Sequence, residues 1–320
     1  MRENLAPVIL FTYNRLDNTK TTLEKLGEND FAKETELFIF SDGSKGEKDR
    51  DSVEEVRSYL KEFSASDCFK KIELRLADRN QGLANSIISG VSEIINQYGK
   101  AIVLEDDIVT SGDFLQYMND ALDYYSDDER IWSIAGYSEK LKSLENYEHD
   151  LFLSYRASCW GWATWKNRWE TIDWDAKTYG TKDYYFKYRW NLMRGGNDMP
   201  SMLKAQMKGK IDSWAIRWCY EQSLQNKLAV CPTISKVTNE GFGNGVHCEK
   251  GMEKKYGVDA LENAIKFEPL ELDEAIIREY KKFHNLTLSG RITGKIKMEL
   301  KCLKNRKAGS GYKGNRKENC

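Results

Sequence analysis

Ala101-Ile102-Val103-Leu104-Glu105-Asp106-Asp107 is the stretch on which the reading of this chain turns. Four apolar residues, enough for a buried strand, run straight into three adjacent acids. Carboxylates clustered at the end of a buried strand repel one another and resist desolvation. Two readings follow. The acids form a solvated turn, or they hold a hard divalent cation against a phosphate. The heptad alone does not separate them; its neighbours bear on the choice.

Three further apolar runs precede it. Pro7-Val8-Ile9-Leu10-Phe11 reads as a strand followed by Thr12-Tyr13-Asn14-Arg15. Glu36-Leu37-Phe38-Ile39-Phe40 reads as a second, ending in Ser41-Asp42-Gly43-Ser44, and Ile72-Glu73-Leu74-Arg75-Leu76 as a third, ending near Asp78-Arg79-Asn80-Gln81-Gly82. Helical periodicity lies between them. Leu23 and Leu26 share a face of a helix from about 17 to 26, with Gly27 at its end. Val53, Val56, Leu60 and Phe63 mark a second helix, and Leu83, Ile87, Val91, Ile94 and Ile95 a third that Gly99 closes. Four strands alternate with three helices, which predicts an α/β fold with a Rossmann-like, mostly parallel sheet covered by helices. Ligands of such sheets bind at the carboxyl ends of the strands, and the polar segments 12–15, 41–44, 78–82 and 105–107 all fall there. That convergence favours the functional reading of the acids. Neither GxGxxG nor a P-loop follows the first strand.

Composition narrows the class. The chain has 320 residues, 40% of them hydrophobic, enough to bury a large core. A net charge of −1 offers no global field for nucleic acid, so no nucleic-acid partner is expected. Seven scattered cysteines without a CxxC pair predict reduced thiols and a cytoplasmic location. No run approaches the roughly 20 apolar residues of a membrane span.

Beyond the acids, a helix is predicted from about 112 to 125, a strand at 131–137 and a polar loop at 138–150. The second half is aromatic: Trp160, Trp162, Trp165, Trp169 and Trp174 fall within fifteen residues. A packed core explains such rings. A platform for the flat faces of sugars explains them too, with Trp160, Trp162 and Trp214 as candidates. Residues 175–199, rich in Tyr, Lys and Arg, read as a helical excursion. Asp212 stands either as the N-cap of a helix carrying Trp214 and Trp218 or as a general base. Residues 228–232 read as a short edge-like strand. The glycine-dense stretch 239–247 contains Glu240 and ends at His247, either a surface histidine or part of a loop that orders over a ligand. An outer helix is expected in 268–285. In 291–307 Lys and Arg interleave with Ile, Met and Leu, as in a basic interfacial helix or a solvated tail.

Thr12-Tyr13-Asn14-Arg15, Ser41-Asp42-Gly43-Ser44, Asn80-Gln81-Gly82 and Glu105-Asp106-Asp107 together resemble the nucleotide-sugar half of GT-A type glycosyltransferases. The first segment looks like glycosyltransferase family 2. The Glu-Asp-Asp form is more similar to the N-acetylglucosaminyltransferase I family. Asp212-Ser213-Trp214 is similar to that family's Asp-Asp-Trp segment, with Ser213 where the second aspartate would stand, and residues 241–247 are similar to its donor-closing loop. The resemblance spans about residues 6–250. It implies an inverting, metal-dependent transfer of a sugar from a nucleoside diphosphate donor, UDP-sugar favoured, to a hydroxyl of a glycan or lipid-linked glycan. It also implies a division into a nucleotide-sugar half (1–137), an acceptor and catalytic half of the same domain (138–267), and a C-terminal extension (268–320).

The resemblance assigns Asp107 to Mn²⁺ or Mg²⁺ and Asp212 to the catalytic base. Thr12, Tyr13, Arg15, Asp42, Arg79, Asn80, Gly82, Glu105, Asp106 and His247 would surround the donor. Trp160, Trp162, Trp214 and Glu240 would meet the acceptor. Segment 291–307 would touch the inner face of a membrane, as suits surface-polysaccharide assembly. A sugar nucleotidylyltransferase and a non-catalytic glycan-binding module are the alternatives; the first lacks its glycine-rich basic loop, and the second leaves the acids unexplained.

Overall fold

The computed structural model describes residues 4–241 and 252–286. In chain order the strands and α-helices are β1 (Val8–Thr12), α1 (Leu16–Gly27), β2 (Glu36–Ser41), α2 (Glu47–Phe63), β3 (Lys71–Leu76), α3 (Leu83–Tyr98) and β4 (Lys100–Glu105). Then come β5 (Ile108–Thr110), α4 (Phe114–Tyr124), β6 (Ile131–Ala135), β7 (Leu151–Ser154), β8 (Trp162–Trp165) and α5 (Lys166–Trp169). The rest are α6 (Arg189–Leu192), α7 (Met199–Met207), α8 (Trp214–Leu224), β9 (Leu228–Pro232), β10 (Val237–Asn239), α9 (Met252–Tyr256) and α10 (Glu274–His284).

Eight strands form one sheet in the order β3-β2-β1-β4-β8-β6-β9-β7. The first four are mutually parallel, with Leu10 in register with Ile39 on one side and Leu104 on the other. β6 and β9 are parallel to each other, while β8 and β7 run antiparallel to their neighbours. The predicted α/β fold, a Rossmann-like and mostly parallel sheet flanked by helices, is therefore present.

Alternation along each strand sends side chains to two cores. Val8 and Leu10 of β1 join Ile102 and Leu104 of β4 on the face covered by Leu23 and Leu26 of α1 and Val56 and Leu60 of α2. Ile9, Phe11, Ala101 and Val103 point the other way, onto Ile87, Val91 and Ile94 of α3 and the tryptophans of α8. Both faces of β1 are buried, which is why its sequence is continuously apolar. Gly99 ends α3 with φ of 78°, as its position predicts.

Three expectations need correction. The tryptophan-rich stretch contains β8, which sits in the middle of the sheet between β4 and β6, Val103 facing Trp162 across the ladder. Trp162 and Trp214 are accordingly 1% and 3% exposed. Trp162 packs on Trp218 (centroids 4.3 Å), Trp214 (5.3 Å) and Trp169 (5.7 Å), so these rings are core and present no face to a sugar. β9 is interior, between β6 and β7, rather than an edge. The cap of α8 is Ser213, whose Oγ accepts from the Ile216 N–H, so Asp212 is not the N-cap.

α10 packs on the outside through Ile276 and Tyr280, as expected of 268–285. No helix among the described residues is long and apolar enough to cross a membrane. Cys68, Cys159, Cys219 and Cys231 are free thiols. His247 and segment 291–307 lie outside the described residues.

Candidate active site

Because β1 to β4 are parallel, their carboxyl ends lie along one edge of the sheet. The loops that leave them carry most of the residues singled out from the sequence. Arg15, just before α1, reaches across to the end of β4. Its Nη1 donates to Asp107 Oδ2 at 2.8 Å and its Nη2 pairs with Asp106. The Tyr13 N–H donates to Asp106 Oδ2 (3.3 Å), and Thr22 Oγ1 to the Asp106 carbonyl (2.9 Å). The acidic cluster is thus tied to the β1 loop through one guanidinium and one amide.

Burial sets the charge of this cluster. It pushes Glu105 up to about 8, with further help from Asp107 and Asp106. Burial also raises Asp106, to about 6, against the opposing pull of Arg15. Arg15 itself is disfavoured by burial, yet the two aspartates hold its pKa above the ordinary value. The result is a compact, solvent-poor group in which Asp106 is almost wholly enclosed and Asp107 retains a partly open face.

Asp42 serves the adjacent loop. Its Oδ1 accepts from the N–H groups of Gln81 (2.8 Å) and Gly43 (2.9 Å), and its Oδ2 from Asn80 Nδ2 and the Gly82 N–H (2.9 Å each). Four internal donors make it the clamp that joins the β2 and β3 ends. Asn80 also donates to the Gly43 carbonyl (2.8 Å). Gly82 has φ of 80°, a conformation glycine adopts without strain, and starts α3. Tyr13 donates its hydroxyl to Asp49 and stands under Lys45, joining the β1 loop to the start of α2; burial and then Asp49 raise its pKa to about 12. Thr12 is buried and Arg79 exposed.

Two more carboxylates reach this edge from the second half of the chain. Asp212, displaced from the cap position by Ser213, has a side chain 65% exposed and lies 3.8 Å from Arg217 Nη2. A β-carbon built on Gly82 would come within 3.8 Å of Asp212 Oδ2. Glu240 arrives through a small antiparallel ladder: β10 pairs with β5, Asn239 facing Ile108, and the Glu240 N–H donates to the Asp107 carbonyl at 2.9 Å. Gly241 follows so closely that any side chain there would strike the Asp107 carboxylate. Trp160, of the three acceptor candidates among the tryptophans, is half-buried, edge-on to Tyr137 (4.5 Å) and Tyr256 (6.0 Å).

The edge therefore brings together Tyr13, Arg15, Asp106, Asp107, Glu240 and Gly241, and beside them Asp42, Asn80, Gly82 and Asp212. Trp162 and Trp214 lie beneath, in the core. Sequence reasoning missed Arg57 of α2, whose Nη2 donates to the Ala77 carbonyl (2.6 Å) and lies near those of Asp42 and Ser41. A lone arginine four residues after Val53, on the inward side of an amphipathic helix, was the available signal. Among the described residues no three His, Cys, Asp or Glu side chains are placed to hold a metal ion. Asp107 nonetheless has the chemistry for a hard cation, an oxygen donor with a partly open face, which would share its carboxylate with Arg15.

No protein-family model matches the chain, and no curated protein matches it in sequence. Solved structures that resemble it include a mannosyltransferase from Pyrobaculum calidifontis in complex with GDP-Man and Mn²⁺, at 12% identity over 70% of this chain and 70% of that one, with a TM-score of 0.41. Another is residues 1–349 of TarS from S. aureus in complex with UDP-GlcNAc, at 10% identity over 72% of this chain and 56% of that one, with a TM-score of 0.39.

Proposed function

We propose that the chain is an inverting glycosyltransferase. It would move a sugar from a nucleoside diphosphate donor, a UDP-sugar by preference, to a hydroxyl of a glycan or lipid-linked glycan. The observation that carries this reading is the position of Asp212: an exposed carboxylate, not engaged as a helix cap, beside Gly82 at the strand-end edge that also bears Asp106 and Asp107. A base, and an acid that could hold a metal against the leaving diphosphate, on one edge are what a metal-assisted single displacement requires.

In that reading the acceptor hydroxyl attacks the anomeric carbon and passes its proton to Asp212. The bond from that carbon to the diphosphate oxygen breaks, and its electron pair leaves on the diphosphate. Mn²⁺ or Mg²⁺ held by Asp107 would neutralise the departing charge as a Lewis acid. Arg15 fixes the two aspartates before donor arrives, and Asp42 fixes the 80–82 loop along which the nucleotide would lie. Glu105 would meet a ribose or donor-sugar hydroxyl. Glu240, beside Asp107, and the half-buried Trp160 are the remaining candidates for contact with the acceptor.

Thermal-shift titration with nucleoside diphosphates and nucleotide sugars, with and without Mn²⁺, tests this directly. Stabilisation by a nucleoside diphosphate that requires the metal and is lost in Asp107→Ala is expected. Indifference to every nucleotide sugar would sink the proposal.

A further inference from the structure

Residues 181–194 (Thr-Lys-Asp-Tyr-Tyr-Phe-Lys-Tyr-Arg-Trp-Asn-Leu-Met-Arg) take no part in the site above. They carry four basic residues against one acidic, in a chain whose net charge is −1. The segment folds as a π-helical turn, Tyr184–Tyr188, continuing into α6. Its inner side is anchored: Tyr184 is buried edge-on to Tyr220 of α8 (6.1 Å) and beside Tyr179 (4.7 Å), and Leu192 is buried. Its outer side is not. Phe186 is 82% exposed, Trp190 59% and Tyr185 58%, the three most exposed large hydrophobic side chains among the described residues. Cations flank them. Lys182, Lys187 and Arg189 are exposed, Lys187 lying 5.7 Å over the Tyr188 ring and Arg189 5.9 Å over Trp190.

Clustered exposed rings mark a contact surface. Protruding rings lack the concave walls of a sugar or nucleotide pocket. A two-fold dimer centred here would bring the same positive segment against itself. Aromatic side chains that sit at headgroup depth, ringed by lysine and arginine, fit a negatively charged bilayer. We propose that this segment docks the protein on an anionic phospholipid surface. Phe186 and Trp190 enter the boundary with the acyl chains, and Lys182, Lys187 and Arg189 meet headgroup phosphates. Tyr184 rests on Tyr220, about 9 Å along the helix from Trp214.

Vesicle binding needs no turnover, so this surface stands or falls apart from the activity proposed above. The test is co-flotation of the full chain with vesicles of phosphatidylcholine alone, and of phosphatidylcholine with phosphatidylglycerol in equal parts. Binding to the anionic vesicles is expected. It should fall about tenfold or more in F186S/W190S and by a similar factor in K187E/R189E. Unchanged melting temperatures would show that both variants fold, as substitutions at exposed positions should. Any of three results would overturn the proposal: no binding by the unaltered protein; full binding by F186S/W190S, whatever that variant does to self-association; or loss of binding only when Lys295, Lys297 and Lys301 are changed to Glu, which moves the contact to the C-terminal segment.

Discussion

Arg15 and Asp107 come from loops that follow different strands, and the guanidinium of the first donates to Oδ2 of the second at 2.8 Å while also pairing with Asp106. One rigid fork thus holds two carboxylates that would otherwise repel. With Asp106 only 3% exposed, removing the fork leaves an almost fully enclosed acid without its counter-charge. Arg15→Met should lower stability in urea by about 2 kcal/mol, below the full cost of breaking a buried pair because Arg15 is itself partly solvated. Arg15→Lys should recover only part, since a point charge cannot bridge both acids. A midpoint unchanged in both variants would show that the pairing contributes nothing to the fold.

Asp212 is open to solvent and caps nothing, so its replacement should be silent for stability. Asp212→Asn should reduce sugar transfer by about a thousandfold, the scale of a lost general base, with donor affinity retained. Glu240→Gln, next to Asp107 but not beside Gly82, should cost less. Single-turnover transfer and donor titration on the same preparations separate the two effects. Equal rates for Asp212→Asn and the unaltered protein would remove Asp212 from the chemistry.

Trp162 and Trp160 are two residues apart and differ in kind. Trp162 is at the centre of a four-tryptophan cluster, so Trp162→Ala should cost about 3–5 kcal/mol in chemical denaturation. Trp160 is half-buried, and Trp160→Ala should cost clearly less. If the order of the two were reversed, the assignment of Trp162 to the core would be wrong.

Glu221 lies on the inner side of α8. Burial, and then the nearby Asp173, raise its pKa to about 7. The folded protein binds this proton more tightly than the unfolded chain does. Its contribution to stability is therefore present below the ordinary carboxylate pKa and is lost as pH rises through about 7. Glu221→Gln should melt higher than the unaltered protein at pH 8 and flatten the decline in melting temperature between pH 5 and pH 8. The same slope in both proteins would assign the pH dependence to another group.

Much of the first half was legible because its strands are buried on both faces. Val8–Phe11, Leu37–Phe40 and Ala101–Leu104 are short apolar runs bounded by turn residues, and the helices between them keep an unbroken three-and-four spacing. The second half hid its strands for a physical reason. Trp162-Ala163-Thr164-Trp165 puts one large and one small side chain on each face of the sheet, between two well-filled cores, so neither polarity nor period marks it as a strand. Its partners, β4 and β6, are nearly sixty and thirty residues away.

The sequence by itself determined which residues end the parallel strands, and with them the edge on which Tyr13, Asp42, Asn80 and Asp107 gather, because strand direction follows from the alternation of apolar runs and helices. Tertiary structure alone decided three things. It chose Ser213 over Asp212 as the cap, since both side chains can accept from a helix start and only the path into α8 selects one. It sent Trp162 and Trp214 inward, since an indole serves a core and a sugar platform equally well. It also set Arg15 between Asp106 and Asp107, a contact across more than ninety residues that no local pattern records.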